Sequence, residues 1–467
     1  MVMDAQLDNR LETPLYRQLY DNIAEKIKTG EFRNGERLPA TRELAGKLGL
    51  NRTTVSAAYT LLEQNGLIRG HVGRGSFVDY RPSGDQTISF ASSRPAVELF
   101  PLTEFQAASR EVIEGPDAAN ILQLGSPSGY GPLRHYLRQR AREAGESGPD
   151  DDLLITNGCQ QSLDLLQRAL VPAGEAVAAE DPVYHGVKNV FARGGARLIG
   201  VPMTAGGIDV NALARVLIKE RPKLLIVTPN FQNPTGTTLP LHTRLAILKM
   251  TRESGTTVVE NNIYGDLRYE GDEIPSLKNL DETGGTILLR SFSKIAFPGL
   301  RVGWIIAPRT LAARLSEVKQ WCDLHTDQLS QAILLRFAES GRLAQHAAIV
   351  RAAGYQRLRT LLSAAERYLP QGTKFIRPSG GVNLWVRLPE PLDASELLVR
   401  AEREKVTYLP GRLFAISHND PGALRLSFGG LAPAIIESGM ATLGRIFTQE
   451  TARMRSGELL EAAPAMV

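Results

Sequence analysis

The stretch TILLRSFSKIAFPGLR, from Thr286 to Arg301, decides how most of this 467-residue chain is interpreted. It opens with a short apolar run, which is typical of a buried strand. Lys294 follows this run, between serines and an apolar segment, and Arg301 comes seven residues later, after a Pro-Gly turn. A lysine at the end of a buried strand is costly to bury unless it pairs or reacts. We therefore interpret Lys294 as a reactive group.

Similar apolar runs recur along the chain, with helical stretches between most of them. The runs are LLIT (153–156), AVAAE (176–180), LLIVTP (224–229), TTVVEN (256–261), TILLRS (286–291) and VGWIIA (302–307). This alternation predicts a mostly parallel sheet covered by helices on both faces. Ligands of such sheets bind beyond the C-terminal ends of the strands, and the polar motifs of this chain fall at such ends.

The first eighty residues predict a separate, smaller unit. Apolar residues four apart between Leu15 and Ile27 indicate one helix, and RLPATRELAGKLGL (37–50) indicates a second. A third opens at Asn51, a typical helix N-cap, and the tight turn before it is typical of a helix-turn-helix. LIRGHVGRGSFVDY (67–80) then predicts a β-hairpin with a basic tip, which is a wing.

Side chains near the start of the third helix and on the wing are the candidate DNA contacts. Recognition helices read bases from their N-terminal residues, while Lys and Arg position the helix on phosphates. Residues 42–74 carry five Lys or Arg against two acids. We predict a double-stranded DNA operator as partner; the alternative is a small helical domain whose charges are only solvated. The predicted contacts are Arg42, Arg52, Thr53, Thr54 and Arg74.

Composition sets further limits. Hydrophobic content of 43% and charged content of 22% are typical of a globular protein, and a net charge of +4 says little about partners. Cys159 and Cys322 lie far apart with no CxxC spacing, which excludes a disulfide framework and a cysteine zinc site and suits a reducing cytosol. We expect no metal site. Because no run of about 18 apolar residues is present, we also expect no membrane span.

The residues around Lys294 indicate a carbonyl partner for its amine. Desolvated lysines form Schiff bases with carbonyl compounds, and pyridoxal 5′-phosphate (PLP) is such a compound. PLP also needs a cradle for its phosphate. Ser291 and Ser293 offer hydroxyls, and Arg301 offers a fork of charge-assisted hydrogen bonds. The combination predicts PLP as cofactor; the alternative for Lys294 alone is a solvated surface lysine.

Residues 90–445 resemble the fold-type-I PLP aminotransferases, whose other motifs appear in order. The resemblance implies that Asn233, in PNFQNPTG, binds the ring oxygen of the cofactor and that Tyr184, in EDPVYHG, stacks on its pyridine ring. It places Tyr264 in the same site. Arg425, in ALRLSFGG, would clamp the α-carboxylate of a substrate or effector.

The same resemblance implies the phosphate end of the site. Gly158, Cys159 and Gln160, in TNGCQQSLDLL, stand at a predicted helix start, where backbone N–H groups suit a phosphate. Tyr130, in GYGPLRHYL, corresponds to a family tyrosine that reaches the phosphate of the neighbouring subunit. This residue would therefore be shared across a homodimer.

The first unit resembles the winged helix of GntR-type regulators, and both units together resemble the MocR subgroup of bacterial transcriptional regulators. That resemblance implies PLP binding, a head-to-tail homodimer, and an effector that is PLP or an amino compound. The predicted fold class is a winged helix-turn-helix (α+β) joined to an α/β aminotransferase-like domain with a smaller C-terminal α+β subdomain. The predicted boundaries are 10–80 for the winged helix, 81–90 for a short linker, 91–447 for the PLP domain with its small subdomain from roughly 330, and 448–467 for a tail.

One position departs from the family pattern. In the family, an aspartate three residues before the tyrosine of the YG segment pairs with the protonated ring nitrogen; VVENNIYGD (258–266) places Asn261 there, three before Tyr264. An uncharged amide cannot neutralise a pyridinium, so we expect a lower pKa of the ring nitrogen and a poorer electron sink. The alternative is that Glu260 or Asp266 turns toward the ring. Asn261 favours imine exchange over efficient transamination.

Three functions stay open on the sequence alone. The first is a PLP-binding transcriptional regulator whose DNA binding responds to PLP or to an amino compound that forms an imine at Lys294. The second is an active aminotransferase with an appended DNA-binding unit, and the third is a catalytically silent regulator for which PLP is the signal. We expect a cytoplasmic protein, associated with the nucleoid when bound to DNA. No pattern in the sequence identifies the operator, the effector or the sign of regulation.

Overall fold

The computed structural model describes residues 13–28, 31–32, 35–71, 75–79 and 87–455. The chain divides into two compact units, with the boundary between Thr87 and Ile88, and each unit has its own hydrophobic core. The tip of the predicted wing, the linker residues 81–86 and the tail from residue 456 lie outside the described residues.

Three helices and a hairpin form the first unit. Its elements are α1 (Leu15–Lys28), α2 (Thr41–Leu48), α3 (Arg52–Gln64), β1 (Ile68–His71) and β2 (Gly75–Val78). The Asn51 side chain accepts a hydrogen bond from the Thr53 N–H at 3.2 Å, which confirms the predicted N-cap of α3. β1 and β2 pair antiparallel. Leu19, Ile23 and Val55 are fully buried and join the helices in one core, so the predicted winged helix-turn-helix is confirmed.

A mixed sheet of eight strands forms the centre of the second unit, after a short strand β3 (Ile88–Ser89). Its strands are β4 (Asp151–Thr156), β5 (Ala176–Asp181), β6 (Arg197–Thr204), β7 (Gly207–Ile208), β8 (Leu224–Val227), β9 (Thr257–Asn261), β10 (Ile287–Ser291) and β11 (Gly303–Pro308). Their order in space is β4-β11-β10-β9-β8-β5-β6-β7. The five strands from β10 to β6 run parallel, and β11 and β7 are antiparallel to their neighbours.

Helices surround the sheet, which is buried on both faces. They are α4 (Leu102–Ile113), α5 (Ala118–Ile121), α6 (Gly131–Glu143), α7 (Cys159–Leu170), α8 (His185–Arg193), α9 (Val210–Glu220), α10 (Leu241–Ser254), α11 (Leu277–Leu280), α12 (Arg309–Asp323) and α13 (Gln328–Glu339). Alternate residues of β8 enter different cores: Leu224 and Ile226 pack on one face, and Leu225 and Val227 on the other. The predicted two-sided α/β sheet is confirmed.

A second, antiparallel sheet follows toward the C-terminus. Its region contains α14 (Arg342–Tyr368), β12 (Lys374–Phe375), β13 (Asn383–Arg387), α15 (Ala394–Arg403), β14 (Val406–Thr407), β15 (Leu409–Pro410), β16 (Ala423–Ser427) and α16 (Pro433–Arg455). Four of these strands pair in the order β12-β13-β16-β15, and β14 pairs with β3 instead. Phe90, Tyr408 and Phe428 are fully buried in the core beneath this sheet.

The sequence pattern does not predict β6 and β7, the two strands at one edge of the large sheet. The six predicted strands correspond to β4, β5, β8, β9, β10 and β11, whereas β6 and β7 were not predicted. Most residues of β6 are exposed or half-buried, because the strand lies next to the sheet edge. ARLIGVPMT therefore lacks the continuous apolar run that marks the central strands.

Candidate functional site

A cavity of about 500 Å³ lies where two neighbouring parallel strands end. β9 ends at Asn261 and β10 at Ser291, and both residues line the cavity. The predicted site residues that line it are Cys159, Gln160, Tyr184, Asn233, Asn261, Tyr264, Ser291, Ser293, Lys294, Arg301 and Arg425. The remaining lining residues are Ala91, Ser92, Ser93, Arg94, His185, Ile263 and Leu409.

Lys294 lies one short helical turn beyond β10. Its Nζ donates a hydrogen bond to the Ser93 carbonyl at 2.8 Å and lies 5.5 Å from the centroid of the Tyr264 ring. Burial, together with the nearby charges of Arg425 and Arg301, lowers the pKa of Lys294 to about 8. A larger share of the amine is therefore neutral, and so nucleophilic, near neutral pH.

Arg301 and the start of α7 form one end of the cavity. Gly158 caps α7 with φ +77°, and a Cβ there would lie 2.5 Å from Nη2 of Arg301. Only glycine leaves room for the guanidinium. Nη2 of Arg301 donates to the Asn157 carbonyl at 3.2 Å, and Nη1 lies 3.5 Å from the Ser293 hydroxyl. The Ser291 and Ser293 hydroxyls are 2.9 Å apart. Arg301 and the two hydroxyls thus join the backbone N–H groups at the start of α7 as donors that suit an anion.

An ion pair between buried Lys319 and half-buried Asp323 supports this loop, and the sequence pattern did not predict it. Nδ2 of Asn157 and Nε2 of Gln161 both donate to Oδ2 of Asp323, at 2.7 and 2.6 Å. Nζ of Lys319, which is fully buried, donates to the other oxygen at 2.7 Å. The only sequence signal is a Lys and an Asp four residues apart on one helix, a spacing that is common on helix surfaces.

Arg425, on β16, brings a second guanidinium to the cavity. Nη1 of Arg425 donates to Oδ1 of Asn233 at 3.2 Å, and Nη2 donates to the Ala91 carbonyl. Nδ2 of Asn233 donates to the Tyr264 hydroxyl at 3.3 Å. Arg425 is 2% exposed, burial lowers its pKa to about 10, and its Nε has no hydrogen-bond partner among the described residues. A buried cation with an unused donor fits an anionic ligand group.

Asn261 occupies the side of the cavity where the family resemblance implies an acid. It is 2% exposed, and its Oδ1 accepts a hydrogen bond from Sγ of Cys159 at 3.1 Å. Burial raises the pKa of the Cys159 thiol to about 12, so the thiol keeps its proton and donates it. Glu260 does not line the cavity and accepts from the Lys278 N–H at 2.8 Å; Asp266 does not line it either. The structure therefore offers Asn261, and no carboxylate, at this position.

Two predicted tyrosines lie in different surroundings. Tyr184 precedes α8 and its hydroxyl lies 3.4 Å from Oε1 of Gln160 across the cavity. Tyr130 does not line the cavity of its own chain: its N–H donates to Oε1 of Gln331 at 2.8 Å, and its hydroxyl lies 3.5 Å from Asp117. Gly158 also lies outside the lining, beneath Arg301.

The segment from Ala91 to Arg94 forms a cavity wall that the sequence analysis did not identify. Its carbonyls at Ala91 and Ser93 accept hydrogen bonds from Arg425 and Lys294. Backbone carbonyls have no residue-type signature, so no pattern in the sequence could have shown these contacts.

The predicted DNA contacts lie on the first unit. Arg42, Arg52 and Thr53 are exposed and Thr54 is half-buried. No ion pair joins Arg42 or Arg52 to another described residue, whereas nearby Lys47 pairs with Glu43 at 2.8 Å. These two arginines are therefore available to DNA phosphates. The predicted contact Arg74 lies outside the described residues.

Two family models match this chain. Residues 90–443 match aminotransferase class I and II, and residues 15–78 match bacterial regulatory proteins of the gntR family. The 2-aminoadipate transaminase of Thermus thermophilus is 37% identical over 77% of this chain and 89% of its own length. The probable rhizopine catabolism regulatory protein MocR of Rhizobium meliloti is 27% identical over 94% of this chain and 95% of its own length.

A solved structure shares the fold of the second unit. It is the α-aminoadipate aminotransferase LysN from Thermus thermophilus, complexed with N-(5′-phosphopyridoxyl)-L-leucine. The TM-score is 0.73 with 35% sequence identity, and the match covers 78% of this chain and 93% of that one.

Proposed function

The chain belongs to the MocR subgroup of GntR-type bacterial transcriptional regulators, which join a winged helix to an aminotransferase class I and II domain, and from this premise we propose that PLP or an amino compound bound at Lys294 modulates its affinity for DNA. The observation that carries this proposal is a single cavity with three groups: the amine of Lys294, the guanidinium of Arg301 at a helix start, and the buried guanidinium of Arg425. These suit an aldehyde, a phosphate and a carboxylate, respectively.

PLP is the cofactor of this family, and the residues present fit it. A volume of about 500 Å³ lies within the usual range of small-molecule sites, about 300–1,000 Å³. PLP supplies an aldehyde that condenses with amines. In our proposal, Lys294 provides the amine, Arg301 with the start of α7 holds the phosphate, and Tyr184 covers the ring. Asn233 and Tyr264 direct polar groups at the ring oxygen.

A working aminotransferase with an attached DNA-binding unit is the second candidate. Lys294 and Arg425, which such chemistry needs, lie in one cavity. Asn261 weighs against it, because the buried amide provides no charge to hold a proton on the ring nitrogen. Slow transamination with retained ligand binding is therefore the behaviour we propose, and it suits a sensor better than a catalyst.

We also propose a head-to-tail homodimer, supported by large apolar side chains that are exposed on the second unit. Leu122, Leu124 and Trp321 are 71%, 74% and 83% exposed. The amide of Gln328, on α13, donates to the Gln123 carbonyl at 2.8 Å, which holds the segment of Leu122 and Leu124 against α13. Apolar patches of this kind mark association sites. In such a dimer the Tyr130 hydroxyl would serve the partner's cavity.

The placement in the cell is part of the same proposal. None of the helices in the described part of the chain has the length and apolar character that crossing a lipid bilayer requires. We propose a cytoplasmic regulator that associates with the nucleoid when it binds its operator through two winged helices, one from each subunit.

A DNA titration tests the proposed function. We expect the dissociation constant for the upstream intergenic region to change when PLP, or PLP with one member of an amino-acid panel, is added. Arg52→Ala should weaken DNA binding about tenfold and leave the PLP absorption unchanged, because Arg52 is exposed and available to phosphates. Arg17→Ala is the matched control, since Arg17 lies on α1 and pairs with Asp21 at 3.5 Å. DNA affinity that ignores PLP and every amino acid would rule the proposal out.

Replacing Asp323 by an uncharged asparagine should weaken the binding of PLP, because Asp323 supports the loop that would hold the phosphate of PLP. In Asp323→Asn, Asn157 and Gln161 lose a charged acceptor at 2.7 and 2.6 Å, so the loop at the start of α7 loosens. We expect the dissociation constant of PLP to rise about tenfold, and that of pyridoxal, which lacks the phosphate, to change by less than about twofold. Asp164→Asn is the control, because Asp164 lies on α7 but pairs with exposed Arg168. If the dissociation constants of PLP and of pyridoxal rise equally, the substitution causes a general structural defect, and the proposed role in phosphate binding is wrong.

A further inference from the structure

Two side chains of the cavity form a hydrogen-bonded pair that the proposed function leaves unexplained. Cys159 is the first residue of α7, and Asn261 is the last residue of β9. Both line the cavity, and Sγ of Cys159 donates to Oδ1 of Asn261 at 3.1 Å. The pair therefore joins the start of a helix to the end of a central strand, inside the site itself.

The chemistry of the thiol decides which end of the amide it holds. Burial raises the pKa of Cys159 to about 12, although the nearby charges of Arg301 and Lys294 act in the opposite direction. The thiol therefore keeps its proton and donates it to the amide oxygen. An amide turned the other way would place its NH2 group against sulfur, which is a weak acceptor, and would take the oxygen away from the S–H group.

The other end of the Asn261 amide is available to a ligand. The residue is 2% exposed, and no hydrogen bond joins its Nδ2 to another residue in the described part of the chain. Because the thiol holds Oδ1 and the residue lines the cavity, Nδ2 is the atom that Asn261 offers there. A nearly buried donor needs an acceptor. An unprotonated pyridine nitrogen is an acceptor, whereas a pyridinium nitrogen carries a proton and is not.

We infer that Cys159 is a positioning residue: its thiol fixes the orientation of the Asn261 amide, and this orientation keeps the ring nitrogen of bound PLP unprotonated. The inference rests on the proposed function, because it takes PLP to be bound at Lys294 with its ring nitrogen next to Asn261. Without the thiol, the amide can turn and present Oδ1, which accepts a hydrogen bond from a protonated ring nitrogen. Cys159 thus acts on the ring through Asn261.

Solid-state nitrogen-15 NMR of protein loaded with PLP that is labelled at the ring nitrogen tests the inference, because protonation of this atom changes its chemical shift. We expect the pH midpoint of the change to rise by about half a pH unit in Cys159→Ala. Such a shift corresponds to about 0.7 kcal/mol, which is within the range of one hydrogen bond. Cys159→Ser keeps a donor and should lie closer to the parent protein than Cys159→Ala does. Cys322→Ala changes an exposed cysteine on α12 and should match the parent protein.

A double substitution shows whether Cys159 acts through the amide. In protein that already carries Asn261→Ala, the further change Cys159→Ala should leave the midpoint where it was, because no amide remains to be turned. An equal shift in that background would mean that the thiol acts on the ring without Asn261, and the inference would be wrong.

The outcomes separate this inference from the proposed function. A ring nitrogen that is protonated in the parent protein at pH 7.5, or a midpoint that is the same in Cys159→Ala and in the parent protein, would overturn the role of Cys159. In both cases PLP is still bound at Lys294, so the proposed function stands. If labelled PLP forms no imine with the parent protein, the proposed function fails and the inference fails with it.

Discussion

Replacing Lys294 by alanine is expected to abolish the visible absorption that PLP acquires on the protein. Lys294 is the lysine among the residues that line the cavity, and its pKa is lowered to about 8. At pH 7.5 about a quarter of such an amine is neutral, against about one in a thousand for an ordinary lysine of pKa near 10.4. The variant loses this nucleophile, so PLP forms no imine with the protein. DNA affinity should change without being lost, because the winged helix is intact.

Lys188→Ala is the matched control for this experiment. Lys188 lies on α8 next to the cavity, and its Nζ donates to the Ala415 carbonyl at 3.0 Å, but it does not line the cavity. The control should keep the full visible absorption of the parent. Identical spectra for Lys294→Ala and the parent protein would refute the assignment.

Restoring an acid with Asn261→Asp is expected to accelerate half-transamination of an amino acid by about tenfold or more. A unit-charge pair near 3 Å is worth about 5 kcal/mol at an effective dielectric constant of about 20, before desolvation. Retaining about 1.4 kcal/mol of this in the transition state gives a tenfold rate. The loss of PLP absorbance in a single turnover with excess amino acid measures the rate.

The structure explains why the native amide cannot play the same part. The Cys159 thiol donates to Oδ1 of Asn261, so the amide nitrogen remains for the cavity, and it can donate to a ring nitrogen but cannot accept its proton. Asn262→Asp is the control, since the Oδ1 of Asn262 accepts from Asn230 at 3.0 Å and the residue does not line the cavity. An unchanged rate in Asn261→Asp, or an equal gain in Asn262→Asp, would contradict this explanation.

Much of the fold was predictable because central strands are buried on both faces. β8 and β10 place apolar residues at nearly every position, so their periodicity and length identify them without a partner. β6 could not be found in this way, because its exposed residues look like a loop. Asn51 was predictable for a different reason: its role as a cap depends on near neighbours in sequence.

The candidate site was predictable where a side chain type has a specific chemical use. Lys294, Arg301 and Asn233 stand in short motifs at strand ends, and the structure brings them into one cavity. Contacts made by the backbone, such as the Ser93 carbonyl on Lys294, were not predictable from residue types. Asp323 was missed because it lies 166 residues from Asn157, and only the folded chain joins them.

The central claim is that PLP is attached to this protein at Lys294. Reduction of PLP-treated protein with borohydride, followed by mass mapping of its peptides, tests the claim most directly. We predict a single phosphopyridoxyl adduct, on the peptide that contains Lys294, and none on the peptides that contain Lys188 or Lys319. Protein that stays colourless and carries no adduct, or an adduct found on a different lysine, would contradict the account.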